Sequence, residues 1–137
     1  GFLVWNWHKA KIFMGDVGST LLGYNIAIFT IYSSNQEPTN LWIWITLFSL
    51  FWFDATMTLY KRYKNSESLS QAHNKHAYQR LVQSGWSHSK VVLFSILVNV
   101  ILFCLIYFMV NVFVAFVFSL FLLYAIWMYI ENRKSFI

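Results

Sequence analysis

Three stretches of this chain carry side chains that can do chemistry, and each lies between or within long apolar runs. In residues 13–19, Asp16 stands between Gly15 and Gly18 and is followed by Ser19. Glycines leave a backbone open to close approach by a ligand. Ser19 can cap a helix that begins at Thr20, whose first amides favour an anion. A carboxylate at that place can hold Mg²⁺ while the metal bridges phosphate oxygens. The same residues also make a plain capping turn at a membrane edge.

The second stretch is Asp54, inside an apolar run, with Thr58 and Arg62 at successive i+4 steps. An ionised aspartate at a bilayer centre costs about 2.5–3.5 kcal/mol. Such residues therefore face protein interior or water. The three form a polar stripe that reads either as an internal ion pair orienting the helix or as support for a nearby site. The third stretch holds His73, His76 and Arg80 at i, i+3 and i+7. On a helix they share a face. Zinc would need further ligands at suitable spacing, and none is evident. The remaining readings are a solvated helix surface, or a diphosphate site with Arg80 as a forked donor and the imidazoles as hydrogen-bond or proton partners. His88, with Trp86 and Lys90, reads as an interfacial anchor. Asn99 reads as an interhelical hydrogen bonder.

The elements that position these groups follow from composition. Of 137 residues, 58% are hydrophobic and only 11% charged, and mean hydropathy is +0.52. Soluble domains carry roughly twice that charged fraction, so an all-α integral membrane protein is expected. Apolar runs predict crossings at about 19–34, 41–60, 91–110 and 112–130, with a reversal near Asn111. The last three runs, of about 20 residues, each make a helix of roughly 30 Å, the thickness of the hydrocarbon core; the first is shorter and must extend to about Ser19 and Ser34 to cross. The loop 61–90 is expected to hold an amphipathic helix over 67–84, capped by Ser68 or Ser70 and ended by Gly85. With four crossings, all ten Lys and Arg fall on one side. By the positive-inside rule that side is cytoplasmic. Cys104 has no partner for an internal disulfide and reads as a small hydrophobe.

Residues 13–19, Phe-Met-Gly-Asp-Val-Gly-Ser, resemble the metal-site motif of the polyprenyl-phosphate N-acetylhexosamine-1-phosphate transferases. This integral-membrane group is called glycosyltransferase family 4 and includes the phospho-MurNAc-pentapeptide transferase. Residues 54–62, Asp-Ala-Thr-Met-Thr-Leu-Tyr-Lys-Arg, are similar to the family's Asp-Ala-Thr…Thr-Leu…Arg segment. Residues 72–81 and Gly85-Trp-Ser-His88 resemble the histidine loop of the branch that starts O-antigen and related glycan chains. Asn74 and Ser89 stand where that branch is often more basic.

The resemblance implies transfer of N-acetylhexosamine-1-phosphate from a UDP-sugar to undecaprenyl phosphate in the bacterial inner membrane, releasing UMP and initiating O-antigen or another cell-surface glycan. Asp16 would ligand Mg²⁺ and act in catalysis with His73 and His76. Phe13, Gly15, Gly18, Ser19, Asp54, Arg62, Gln79, Arg80 and His88 would line the substrate site. The family's earlier paired-aspartate loop and Asn-rich loop have no counterpart here. The chain, which opens on Gly1, is thus expected to be the C-terminal portion of a longer enzyme. The expected partners are UDP-N-acetylhexosamine, undecaprenyl phosphate and the lipid bilayer, with room for a homodimer and no nucleic acid. The alternatives are a non-enzymatic membrane subunit or transporter fragment, and an inactive remnant of the transferase. The reading requires Asp16, His73 and His76 to converge on one polar pocket at the inner leaflet.

Overall fold

Long apolar runs satisfy their backbone groups internally by forming helices, and the described apolar runs of this chain do so. The computed structural model describes residues 2–6, 12, 14–36, 41–71 and 73–136, and among them there is no strand. The helices are α1 (Phe2–Asn6), α2 (Gly15–Gln36), α3 (Leu41–Leu47), α4 (Ser49–Lys64), α5 (Ala77–Gln83), α6 (His88–Phe108) and α7 (Val112–Arg133). The protein is an all-α membrane protein. Helices α6 and α7, with mean hydropathies of 2.8 and 2.3, are each long and apolar enough to cross a bilayer. The pair α3 and α4 is a third candidate if taken as one broken span. The first expected crossing falls on α2. That helix has 22 residues but carries Asp16 in its first turn and Asn25 near its middle, and does not reach the same hydropathy.

The second expected crossing is not straight. It breaks at Phe48, and α3 and α4 meet at 66°. No proline or glycine lies there, so the cause is side-chain bonding to the ladder. The Thr46 hydroxyl donates to the Trp42 carbonyl (2.7 Å) and the Ser49 hydroxyl to that of Thr46 (2.6 Å). The indole N–H of Trp52 reaches back across the bend to the Ile45 carbonyl at 2.9 Å. Helix α3 packs on α7, with Trp42 against Phe113 and Phe116, and near the bend the small residues Thr46, Ser49, Ala115 and Ser119 are all 0% exposed. Small side chains let helix backbones approach closely in lipid; the Thr46 and Ser119 hydroxyls bond to carbonyls of their own helices, and that of Ser49 to Thr46 across the bend.

Farther along the bundle, Val98, Leu102 and Leu123 form one buried cluster. Leu81, Val91 and Ile130 form another, which joins α5 to α6 and α7. The reversal between α6 and α7 takes residues 109–111, and Asn111 Oδ1 accepts the Phe113 and Val114 amides. Side chains of α2 such as Val17, Leu21, Tyr24, Phe29 and Ile31 are exposed, and the helix packs mainly on α3.

The loop helix is shorter than expected: it covers Ala77–Gln83 rather than 67–84, and neither Ser68 nor Ser70 caps it. The reason is Arg62. Its guanidinium, 2% exposed, donates to the carbonyls of Ser68, Leu69 and Gln71. Carbonyls bonded to an arginine are held out of a helical ladder. Helix α4 ends in a Schellman turn, with Ser66 N–H on Tyr63 and Glu67 N–H on Arg62, and Ser66 at φ 55°. Helix α5 ends the same way at Gly85, φ 98°.

Candidate functional site

The site is organised by Asp54, which α4 carries to the start of α5. Its Oδ1 accepts the Ala77 amide at 2.9 Å and the Thr58 hydroxyl at 3.4 Å. Its Oδ2 lies 3.1 Å from His76 Nδ1. The carboxylate thus satisfies a free amide in the first turn of α5 from a neighbouring helix. His76 is the N-cap residue, and the Gln79 side-chain oxygen accepts its amide at 3.1 Å. Along the stripe Asp54–Thr58–Arg62, Arg62 pairs with Glu67 and bonds loop carbonyls. Thr58 and Arg62 are buried and structural, while Asp54 reaches the histidine loop.

The His76 ring stacks on Tyr78 with centroids 5.9 Å apart and sits 4.9 Å from the His73 ring. His73 Nδ1 accepts the Lys75 amide at 3.4 Å. Burial, with the nearby Arg62 and His76, pushes His73 below the usual 6.5. Lys75 Nζ lies 2.8 Å from Glu67, and that hydrogen bond holds the Glu67 carboxyl below its ordinary value.

Arg80 does not join the histidines on a common helical face, because His73 lies in the loop before α5. Its guanidinium, 2% exposed, bonds Glu131 Oε2 (2.7 Å) and the Lys134 carbonyl (2.8 and 3.1 Å). It lies 5.5 Å from the Phe136 ring and 5.7 Å from Trp127. The residues that follow α7 fold over it. Glu131 also takes Lys61 (3.4 Å) and the Phe136 amide (3.2 Å). These partners of Arg80 were not read from the sequence. The signal was an acid ending an apolar helix that returns to the basic side.

A cavity of about 570 Å³ opens between α4, α5, α6 and α7. Its walls are mostly apolar, including Leu50, Phe53, Phe94, Leu123 and Ile126, and Asp54, His76 and Tyr78 are on its lining. Asn99 also lines it, and its Oδ1 is buried without a protein partner rather than bonded across helices.

The Asp16 segment differs from its expected form. Helix α2 begins at Gly15 (φ +69°), not Thr20, so Ser19 lies inside it and its hydroxyl donates to the Asp16 carbonyl at 3.1 Å. Asp16 is exposed in the first turn, where the helix dipole favours a negative charge. A Cβ on Gly18 would meet Met14 Cγ at 2.5 Å, so glycine lets Met14 fold against the helix start. Phe13 lies outside the described residues. No ion pair among them joins Asp16 to His73 or His76. They also hold no group of three or more His, Cys, Asp or Glu able to cage a metal. His88 is exposed at the start of α6, beside Lys90 over the Trp86 ring at 4.3 Å.

The family model for glycosyl transferase family 4 matches residues 1–34, which include the Asp16 segment. A probable undecaprenyl-phosphate N-acetylglucosaminyl 1-phosphate transferase of Bacillus subtilis is 37% identical over 103 residues, covering 74% of this chain and 29% of its own. The chain belongs to glycosyl transferase family 4. A decaprenyl-phosphate N-acetylglucosaminephosphotransferase of Mycobacterium leprae is 31% identical over 68% of this chain and 27% of its own. A phospho-N-acetylmuramoyl-pentapeptide-transferase of Carboxydothermus hydrogenoformans is 32% identical over 74% and 30%. The chain thus spans less than a third of the length of these family 4 relatives. No solved structure matches it.

Proposed function

We propose that this chain forms part of an enzyme that moves N-acetylhexosamine-1-phosphate from a UDP-sugar onto undecaprenyl phosphate. The observation that carries the reading is the placement of the Asp54–His76 pair on the lining of an apolar cavity among the helices. A polyprenyl phosphate has matching chemistry: a hydrocarbon tail for the apolar walls and an anionic head for the imidazoles. The similarity to transferases that act on polyprenyl phosphates supports the same assignment.

In the reaction, a phosphate oxygen of the lipid attacks the sugar-bearing phosphorus of the diphosphate. The bond to the bridging oxygen breaks, and UMP leaves with that oxygen. Catalysis of this kind is mostly positioning and charge neutralisation. His76 and His73, when protonated, donate hydrogen bonds to phosphate oxygens. The loop's cations raise the local concentration of both anionic substrates. Arg62 and Arg80 act by building the loop, since Arg62 donates to loop carbonyls and Arg80 to Glu131 and the Lys134 carbonyl.

Asp16 offers one exposed carboxylate, which suits Mg²⁺, an ion held by one or two carboxylates plus substrate phosphates. Among the described residues no cage of three or more such ligands is present. When bound, the ion neutralises charge on the diphosphate. We place the loop on the cytoplasmic face of the bacterial inner membrane, with the product initiating a cell-surface glycan. A proton or ion path through Asp54, as a transporter fragment would need, is less favoured, because both its oxygens are engaged.

The test is a membrane assay of the full-length protein with radiolabelled UDP-N-acetylglucosamine. His76→Ala is expected to lower formation of the lipid-linked sugar by on the order of 10²-fold or more, and Asp16→Asn to abolish its Mg²⁺-dependent part. Normal turnover in His76→Ala would remove the reading, and normal turnover in Asp16→Asn would remove the metal role.

A further inference from the structure

We propose that Asp54 is a positioning residue that locks the tautomer of His76, holding the ring proton on Nδ1 and leaving Nε2 as the nitrogen that meets the substrate. The inference deepens the transferase reading and rests on it for the identity of that substrate. The two ring nitrogens of a histidine differ, and the one that reacts is set by the hydrogen bond that the other makes.

Here the bond is specific. Oδ2 of Asp54 lies 3.1 Å from Nδ1, and an ionised carboxylate can only accept. The carboxylate cannot turn away, because Oδ1 is fixed by the Ala77 amide at 2.9 Å and approached by the Thr58 hydroxyl. The ring is braced by Tyr78, with its plane 14° from that of the imidazole. Capping α5 uses one carboxylate oxygen. The second, on the imidazole, is not required for capping. The aspartate is also set in an apolar span, with 18% of its side chain exposed, a place where a carboxylate is costly without a charged or polar partner. The groups facing His76 are Asp54 from α4, His73 from the loop, and Tyr78 from α5.

The test uses Asp54→Asn in the full-length protein in nanodiscs. An asparagine can still accept the Ala77 amide through its carbonyl. Its NH₂ then faces Nδ1, which must become an acceptor, so the ring proton moves to Nε2. Histidine ¹⁵N spectra at alkaline pH are expected to show His76 protonated on Nδ1 in the wild type and on Nε2 in Asp54→Asn. Turnover is expected to fall by on the order of 10²-fold with little change in KM for the UDP-sugar. Adding Asp54→Asn to His76→Ala should cost nothing further. A wild-type His76 protonated on Nε2, or a tautomer unchanged by Asp54→Asn, would overturn the proposal. The wild-type spectrum alone decides this if the variant does not fold. If the tautomer reverses while His76→Ala turns over normally, the lock stands, and the substrate role of His76 is what falls.

Discussion

Arg80 Nη2 lies 2.7 Å from Glu131 Oε2 across 51 positions of sequence, and this pair ties the histidine loop to the end of α7. The family resemblance implied a place for Arg80 in the substrate site. In the structure its guanidinium is buried beneath Phe136 and Trp127. Arg80→Ala is therefore expected to act through stability, since it leaves Glu131 without its closest cation. Removing one partner of a buried pair costs about 3 kcal/mol or more. Thermal unfolding in detergent should show the loss, and Glu131→Gln combined with Arg80→Ala should cost less than the sum of the two. Strictly additive losses would dissolve the pair.

At the bend, the Ile45 carbonyl depends on the Trp52 indole. Trp52→Phe keeps most of the ring but removes the donor. The expected destabilisation is about 1–3 kcal/mol, the cost of an unsatisfied buried acceptor. A chemical denaturation series on the detergent-solubilised protein would read it, and a change within error would mean that the Ile45 carbonyl does not depend on the indole.

Ser66 adopts φ 55° at the Schellman turn after α4, where glycine has no steric cost. Ser66→Gly is expected to leave stability unchanged or raise it by up to about 1 kcal/mol. Gly85→Ala, at φ 98°, should lower it. The opposite ordering of melting temperatures would contradict the turn assignments.

The loop should loosen in acid in two stages. His73 is held below the usual 6.5, first by burial and then by Arg62 and His76. Its unfolded form binds a proton more readily, so stability falls as pH drops from about 6.5 toward the lowered folded value. Glu67 is held low by its hydrogen bond from Lys75, so its contribution is complete above 4.5 and is lost as pH falls through its lowered value. Protease cleavage within 65–76 should accelerate over both windows. Glu67→Gln should remove the second stage and keep the first.

How much of this was legible depended on the kind of signal. The spans of α6 and α7 followed from unbroken apolar composition, and Gly85 marked the end of α5 because a positive φ favours glycine. The family could be read from short polar segments in fixed order. The bend at Phe48 was not legible, since it rests on a hydroxyl and an indole finding carbonyls already in the chain. The loop helix was overextended because periodicity cannot report a buried Arg62 drawing carbonyls away from the ladder. The contacts of Arg80 were not legible, because Glu131 and Phe136 come close to it only in three dimensions. Asp54 was marked correctly as an anomaly in an apolar run, but its hold on His76 and Ala77 needed coordinates.

Helix α4 grips the following loop twice: Asp54 holds residues 76 and 77, and Arg62 holds the carbonyls of 68, 69 and 71. Two handles two turns apart on one rigid rod allow the loop little independent travel. Any tilt of that rod would carry the imidazole with it.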